Sequence, residues 1–448
     1  MNTLCVGFSR VNVTPMMGIG IAGYYKPRRV IGVLDELELS ALALQCGQMR
    51  LVLISMDHCG IHTPEADYIR AYVSEKSGLP FEAVYLHATH THTAPFLNKD
   101  SDDALEQEYF DFVLHRAADA VCYALADLRP ARMGYGVGTA PNIAFIRRFR
   151  MKDGSVMTNP GVNNPDIIAP VGEVDERVNV LRFDRDGADS IVLVNYSVHP
   201  DTVGGELVSA DWPGFLRRRL EKSLDNVCCI FFNGALGDVN HVNVHPTAGD
   251  FNDMFTDFDG ASRGYGHARH MGNVVAGAVL QVFDKVTYLD IDSLMAVQKT
   301  IQIPSNMPKP EDLPEARRIE ALHQAGRDCD IPFDGMMLNT VVAEAERMLK
   351  LADGPKTFNM KLLGVAIGPI ALIGIPGQPF TGIGRALKEA PGWTLVLPTC
   401  QTGGSDGYFP MRDAYDEGGY EARSSPFQAG VAERIICEGT KLLAELKN

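Results

Sequence analysis

The chain reads LHATHTHTAP over residues 86–95, directly after the apolar run Ala83-Val84-Tyr85. If that run is a β-strand, successive side chains alternate between its faces, so His90 and His92 lie on one side, about 7 Å apart along the chain. Two imidazoles on one side of a strand end are a common beginning of a metal site. Since a His-x-His pair alone is weak evidence, other strand ends have to supply further ligands.

The composition is typical of a globular protein, with 448 residues of which 46% are hydrophobic and 22% are charged. The net charge of −15 argues against nucleic acid and anionic membrane surfaces as partners, because both require concentrated positive charge. No run of about 18 or more apolar residues is present, so no membrane span is predicted. The first residues lack the features of a signal peptide, and nine scattered cysteines do not suggest a disulfide framework. We therefore predict a cytoplasmic location.

Short apolar runs alternate with amphipathic segments, which predicts an α/β fold with a mixed central β-sheet flanked by helices. The predicted strands are Arg50–Met56, Ala83–His87, Arg177–Phe183, Ser190–Ser197, Val227–Phe232, Lys361–Ile367, Ile370–Ile375 and Trp393–Leu397. The predicted helices are Pro64–Glu75, Ala104–Leu128, Pro213–Ser223, Ala268–Phe283, Leu338–Leu351, Gly382–Glu389 and Ala429–Leu446. We expect one domain over residues 1–448.

Residues 304–355 differ in composition from their surroundings, because they carry many charges and prolines and two predicted helices between strand-rich stretches. We predict that this segment is a helical insertion within the domain. Two roles are open for it: it caps a ligand pocket, or it forms a peripheral helical hairpin.

Five of the apolar runs end in residues that can carry chemistry. They lead into the segments His87–His92, His199–Asp201, Asn233–His241, Pro376–Phe380 and Gly403–Tyr408. Ligands of open α/β sheets bind beyond the carboxyl ends of the strands, so this clustering predicts a functional site. Each segment also has a structural explanation: a histidine before a proline could close a turn, a glutamine could cap the next helix, and tyrosines could be packing residues.

The segment THTHTAP at residues 89–95 resembles the THTHSGP motif of the neutral/alkaline ceramidases, zinc-dependent amidases that cleave N-acylsphingosine. Further similar segments follow in the family's order at Ser9–Pro15, Val198–Pro200, Ser209–Asp211, Asn233–Val239, Pro376–Phe380 and Gly407–Glu421. The resemblance covers nearly the whole chain and implies the α/β fold of the family's catalytic domain. The family's C-terminal immunoglobulin-like domain is not expected in this chain.

The resemblance implies one zinc ion per chain. Its ligands would be His90, His199, the phenolic oxygen of Tyr408, and Gln378 at the position of the family's glutamate. A neutral amide oxygen binds a divalent cation less well than a carboxylate does. We therefore predict an ion that is weakly held but more electrophilic, unless a further ligand comes from Asp57, Asp201, Asp238 or His241.

The resemblance also implies which residues act on the substrate. It places His92 and Tyr420 beside the scissile group, where family members use them to hold the substrate carbonyl and the developing oxyanion. Arg147 would help Tyr420 to stabilise negative charge. Arg148 is a rival to Arg147, because Ile146 stands where the family has an asparagine and the alignment could shift by one residue.

Asn240 stands at the position of the serine in the family's GDVSPN segment, so no hydroxyl is available there and serine acyl-enzyme chemistry is not expected. We keep Asn240 as a candidate site residue and predict that a metal-activated water is the nucleophile. Proton relay falls to His92 or to an acidic neighbour, Asp57 or Asp211.

Taken with the resemblance, the sequence predicts a zinc-dependent hydrolase that cleaves an amide bond of a small soluble substrate. Two other functions are open. One is a metal-dependent lyase or isomerase that uses the ion as a Lewis acid. The other is a non-catalytic, metal-depleted binding protein, which Gln378 favours.

Overall fold

The computed structural model describes residues 3–247, 249–250, 252–256 and 261–447. The strands in this part of the chain are β1 (Leu4–Asn12), β2 (Gly32–Val33), β3 (Glu38–Cys46), β4 (Met49–Met56), β5 (Val84–Ala88), β6 (Arg129–Thr139), β7 (Phe145–Ile146), β8 (Arg148–Met151), β9 (Val156–Thr158), β10 (Ile167–Pro170), β11 (Arg177–Arg185), β12 (Ser190–Tyr196), β13 (Leu207–Val208), β14 (Val227–Asn233), β15 (Val239–Asn240), β16 (Phe255–Thr256), β17 (Ser262–Arg263), β18 (Thr287–Leu289), β19 (Leu294–Pro304), β20 (Thr357–Ile367), β21 (Ile370–Gly374), β22 (Gln378–Pro379), β23 (Leu395–Thr399) and β24 (Tyr408–Phe409). Its helices are α1 (Thr63–Ser77), α2 (Ala104–Ala126), α3 (Asp211–Ser223), α4 (Tyr265–Phe283), α5 (Leu313–Gln324), α6 (Gly335–Ala352), α7 (Thr381–Lys388), α8 (Arg412–Glu417), α9 (Tyr420–Ser424) and α10 (Val431–Glu445). Within these residues, no helix combines the length and the apolar character that crossing a lipid bilayer requires.

A nine-stranded mixed sheet forms the centre of the molecule, in the order β14-β12-β11-β6-β1-β3-β4-β5, with β18 also paired to β6. Two neighbouring pairs, β4 with β5 and β12 with β14, are parallel, and the other neighbours are antiparallel. The two halves of the sheet follow one plan: three antiparallel strands, a helix, a parallel edge strand and a second helix. Each half therefore ends in a parallel pair of strands at an edge of the sheet.

The sheet curls so that its two edge strands, β5 and β14, come into contact. The Ser55 hydroxyl on β4 donates to the Phe231 carbonyl on β14. The Asn233 backbone N–H donates to His87 Nε2 over 3.0 Å. Because of this contact, the carboxyl ends of the two parallel pairs meet at one place, which is where polar residues are expected to form a site.

A second sheet, with the order β19-β20-β21-β23, packs against the inner face of the curled sheet. Leu53 and Phe232 of the large sheet share one buried apolar cluster with Leu372 and Leu397 of the second. Helices α1 and α2 cover one half of the outer face, α3 and α4 cover the other half, and α7 and α10 cover the second sheet. The predicted α/β fold with a mixed central sheet flanked by helices is confirmed, and the second sheet adds a layer to it.

Helices α5 and α6 lie between two paired strands of the second sheet. β19 and β20 form an antiparallel ladder from Leu294 opposite Ile367 to Pro304 opposite Thr357, and the chain between the last pair forms the two helices. The helices pack on each other through their own apolar cluster, against which Tyr25 also packs. The helix pair therefore has its own small core and is joined to the second sheet by a strand hairpin.

Candidate metal centre

The chain leaves the strand before it reaches the paired histidines. β5 ends at Ala88, and His90 adopts a φ of 77°, in the left-handed region. The turn is fixed by backbone bonds from Thr89 N–H to the Met56 carbonyl and from His90 N–H to the His58 carbonyl. The strand alternation expected for His90 and His92 is therefore wrong, because the ladder with β4 stops short of them. The turn itself brings their Nε2 atoms to 3.3 Å.

His199 reaches the same place from the other half of the sheet, where it follows β12. Its ring centroid lies 5.0 Å from that of His90. Asn233, which is fully buried at the end of β14, ties the two loops together. Its amide nitrogen donates to the Thr89 and Val198 carbonyls, each over 3.1 Å. His90, His92 and His199 form what we call the histidine cluster.

Gln378 and Tyr408 arrive on a short parallel ladder, in which β22 pairs with β24 and Gln378 lies opposite Tyr408. Gln378 Oε1 is 3.0 Å from His199 Nε2. The Tyr408 ring stacks on His199 with 6.5 Å between centroids. The structure thus brings together the four residues that the resemblance implies as metal ligands.

The hydrogen bonds of the cluster leave acceptor atoms facing each other. His90 Nδ1 lies against the Cys59 carbonyl, and His199 Nδ1 lies 2.8 Å from the Val239 carbonyl, so each ring carries its proton on Nδ1 and a lone pair on Nε2. The lone pair of His199 then faces Gln378 Oε1. Turning the amide over would satisfy His199, and a proton on His92 Nε2 would satisfy His90 Nε2 over the 3.3 Å that separates them. Backbone carbonyls that fix the far nitrogen are typical of metal-binding histidines, so this donor set fits a divalent cation.

Cys59, which the sequence analysis did not select, forms a possible metal cluster with His90 and His92. One ligand atom of each residue lies within 4.8 Å of the others. Burial raises the pKa of the Cys59 thiol to about 12, so the thiol is protonated at neutral pH and is a poor ligand until a metal displaces the proton. His90 belongs to both donor sets, and the set with His199 and Gln378 needs no such deprotonation of a thiol.

Burial also keeps the histidine cluster uncharged. It lowers the pKa of His90 to about 4 and that of His92 to about 3, and it lowers the pKa of His199 well below the usual value. Neutral imidazole is the form that binds metals. The cluster is therefore ready to accept a cation at neutral pH.

Arg147 lies beside the cluster, and Arg148 does not. Arg147 Nε donates to Glu421 over 2.6 Å, and its guanidinium carbon lies 5.3 Å from the centre of the Tyr408 ring. Arg148 instead binds Glu417 over 3.2 Å. Burial raises the pKa of the Tyr408 phenol, and the positive charge of Arg147 opposes that rise. Glu421, fully buried, was missed by the sequence analysis, although it directly follows Tyr420 in a family-like segment.

The cluster opens into a cavity of about 900 Å³, which we call the first cavity. Seven of the residues predicted as ligands or catalytic residues line it, namely His90, His92, Arg147, Asn240, Gln378, Tyr408 and Tyr420. Asp201 and His241, named as possible further ligands, also line it, whereas His199 does not. Asn240 donates from its amide to Asn159 over 2.9 Å, and the Tyr420 hydroxyl lies 3.4 Å from that of Tyr25. A larger cavity of about 1110 Å³, beside Phe145 and Phe149, contains none of the predicted site residues. The chemical character of the lining residues, rather than the volume of the cavity, therefore identifies the candidate site.

The solved structures that are similar to this chain include two ceramidases. Neutral ceramidase from Pseudomonas aeruginosa matches with a TM-score of 0.72 and 17% sequence identity, over 100% of this chain and 75% of the ceramidase. The fold of this chain is therefore that of neutral ceramidase. A ceramidase complexed with C2 matches with a TM-score of 0.72 and 16% identity, over 99% of this chain and 76% of the other. No family model and no curated protein sequence matches the chain.

On this ceramidase fold, the structure does not bring Asp211 to the first cavity. Asp211 is fully buried with a φ of 55°, and its carboxylate accepts the backbone N–H groups of Thr202 and Val203, each over 2.8 Å. Burial raises its pKa to about 7 in spite of these donors. Asp57 is also outside the cavity, paired with Arg217. Asp211 therefore positions the loop that follows His199.

We expect Asp211→Ala to lower the free energy of unfolding by roughly 2–4 kcal/mol, because buried N–H groups lose their acceptor and a left-handed backbone loses a residue type that tolerates it. Urea unfolding measures this change. Asp211→Asn, which keeps an acceptor oxygen, is the matched control and should lose less. An Ala variant of unchanged stability would show that the carboxylate does not hold the loop.

Proposed function

We propose that this protein is a zinc-dependent hydrolase that cleaves an amide bond. The observation that supports the proposal is that His90, His199, Gln378 and Tyr408 lie together, with His199 Nε2 facing Gln378 Oε1 at 3.0 Å. The fold shared with neutral ceramidase supports it. When bound there, zinc supplies Lewis acidity and activates water.

The residues around the donor set have the properties that amide hydrolysis requires. His92 is uncharged and lines the first cavity, so it can accept a proton from the attacking water at Nε2. Its Nδ1 lies 3.4 Å from Asp201 Oδ1, where the carboxylate stabilises the imidazolium that forms. Arg147 and the Tyr420 hydroxyl hold the carbonyl oxygen as it becomes negative. Glu421 keeps Arg147 in place.

The polar part of the first cavity's lining supports a small polar substrate, while Phe96, Leu97 and Met336 provide apolar surface for a short acyl group. Acidic side chains, namely Glu65, Glu106 and Asp406, line it together with Asn98 and Asn339. Carboxylates attract the amine-bearing part of a substrate and disfavour an extended hydrocarbon chain. We therefore propose a short, soluble N-acyl amine as the substrate class.

We also propose that residues 304–355 are an insertion that caps the first cavity within a single domain. Met336 and Asn339, at the start of α6, line the cavity. This placement favours the capping role over a purely peripheral hairpin. Substitutions at these two positions should change the choice of substrate and leave metal affinity unchanged; a change in metal affinity alone would contradict the capping role.

We expect hydrolysis of short N-acyl amines to stop when the metal is removed with a chelator and to return when zinc is added. Release of the free amine measures the reaction. His90→Gln should lower the rate by roughly 1,000-fold or more, as expected when a ligand of the catalytic ion is lost. His245→Gln, on an exposed loop, is the control and should keep its rate. Hydrolysis that persists without metal would contradict the proposal.

A non-catalytic binding role is the second candidate, because Gln378 provides no negative charge for a divalent ion. Metal content separates the two functions. Less than about a tenth of an equivalent after gentle purification, together with no hydrolysis in excess zinc, would favour the binding role.

A further inference from the structure

Three histidines lie outside the proposed zinc site and close to one another. His241 follows β15, and His267 and His270 lie in the first turns of α4. The ring centroids of His241 and His267 are 6.0 Å apart, and those of His267 and His270 are 5.8 Å apart. All three line a separate cavity of about 730 Å³, which we call the second cavity.

In two of these rings, one nitrogen atom lacks a hydrogen-bond partner among the described residues. His241 is only 2% exposed, and its Nε2 lies against the Ser262 carbonyl, so the proton is on Nε2 and the lone pair on Nδ1. Among the described residues, neither His241 Nδ1 nor His267 Nε2 has a hydrogen-bond partner, although both atoms are buried. Buried polar atoms are nearly always satisfied in native proteins, so two unsatisfied imidazole nitrogens in one cavity indicate a missing ligand.

The charges around the second cavity suit a cation. Burial lowers the pKa of both His241 and His267 to about 4, so the rings carry no charge at neutral pH. Asp250 and Asp253 line the same cavity and offset the positive end of the α4 dipole. Arg269 is also present, but it is exposed and lies 3.7 Å from Asp253.

We propose that His241, His267 and His270 form a second metal site, for zinc or a similar transition-metal ion. Two imidazoles on one tetrahedral ion, with Zn–N bonds of roughly 2.0–2.1 Å, have ring centres about 5 Å apart. The observed separations of 6.0 and 5.8 Å are longer, and among the described residues the ligand atoms of these three rings do not lie within 4.8 Å of one another, so the side chains have to rotate to share an ion. Imidazole nitrogens select such ions over magnesium and calcium. Asp250 or Asp253 completes the donor set.

An ion at this second site would stabilise the structure around the first cavity. His241 also lines the first cavity, and it directly follows Asn240. An ion in the second cavity joins this loop to the start of α4. Metal binding at the second site should therefore stabilise one wall of the first cavity without contacting the substrate.

Counting the metal equivalents tests the proposal. Metal-free protein is titrated with Zn²⁺, and the number of bound ions is measured by calorimetry and by elemental analysis. We expect two equivalents for the wild type and for the exposed-loop control His245→Gln, and one for His267→Gln. His270→Gln should weaken the second site. Circular dichroism of each metal-free variant confirms that it is folded.

The variant His90→Gln separates the two sites, because it removes a ligand of the proposed catalytic ion. One equivalent in His90→Gln and none in His90→Gln/His267→Gln support both sites. A different result would overturn the second site: the wild type and His267→Gln each bind one equivalent, and His90→Gln binds none. The proposed catalytic site would then stand. In the opposite result, the wild type and His90→Gln each bind one equivalent, and His267→Gln binds none. The second site would then stand, and the proposed catalytic site would be contradicted.

Discussion

Replacing Gln378 by glutamate is expected to increase zinc affinity about 100-fold, because a carboxylate adds a full negative charge next to a divalent cation in a low-dielectric site. Gln378 Oε1 already faces His199 Nε2 at 3.0 Å, so the new carboxylate would occupy the same position without repacking. Competition against a chromophoric chelator measures the affinity.

The control for this variant is Gln302→Glu, which adds the same charge at an exposed position of β19. Its zinc affinity should equal that of the wild type. The Gln378→Glu protein should also turn over more slowly per bound ion, since the added charge weakens the Lewis acid. Unchanged affinity in Gln378→Glu would show that this residue is not a ligand.

Arg147→Met is expected to lower kcat/KM by about 100-fold and the free energy of unfolding by about 3–5 kcal/mol. The loss of activity follows from the missing charge beside the carbonyl oxygen. The loss of stability follows because Glu421, 0% exposed, loses its closest cationic partner and keeps only the Thr158 hydroxyl at 2.8 Å and Arg148 at 4.0 Å. Denaturant unfolding and initial rates measure the two effects.

The double variant Arg147→Met/Glu421→Gln separates these effects. Removing both charges should restore most of the stability, since no unpaired buried charge remains, while kcat/KM stays low. Arg148→Met is the comparison variant: Arg148 binds Glu417 and also lies 4.0 Å from Glu421, but it does not line the first cavity, so this variant should keep kcat/KM within a few-fold. Recovery of activity in the double variant would show that Arg147 acts only as a structural partner of Glu421.

The local features of the fold could be predicted from the sequence. The apolar runs that become β5, β12 and β14 are strongly patterned, and their lengths and the polar residues after them indicate where each strand stops. The histidine motif and the segment with His199 then mark the site through their resemblance to a family. β3, β6 and β19 were not among the predicted strands, because their apolar patterns are interrupted by polar or small residues.

The parts of the site that depend on tertiary structure could not be predicted. Nothing local shows that the sheet curls until β5 touches β14, so the role of Asn233 between two loops was not visible. The left-handed turn at His90 is set by backbone bonds to a neighbouring loop. Asp211 was predicted to relay protons because a carboxylate can accept and donate a proton. Only its hydrogen bonds from the backbone N–H groups of Thr202 and Val203 reveal that it fixes a loop.

The curled sheet also has a consequence for the proposed metal site during folding. The donors come from both halves of the large sheet and from the segments beyond the second sheet, from His90 to Tyr408 along the chain. A site built from such distant segments is complete only in the folded chain. If the proposed zinc ion binds there, its binding energy would add to the native state alone, about 2.7 kcal/mol when the free ion is at 100 times its Kd.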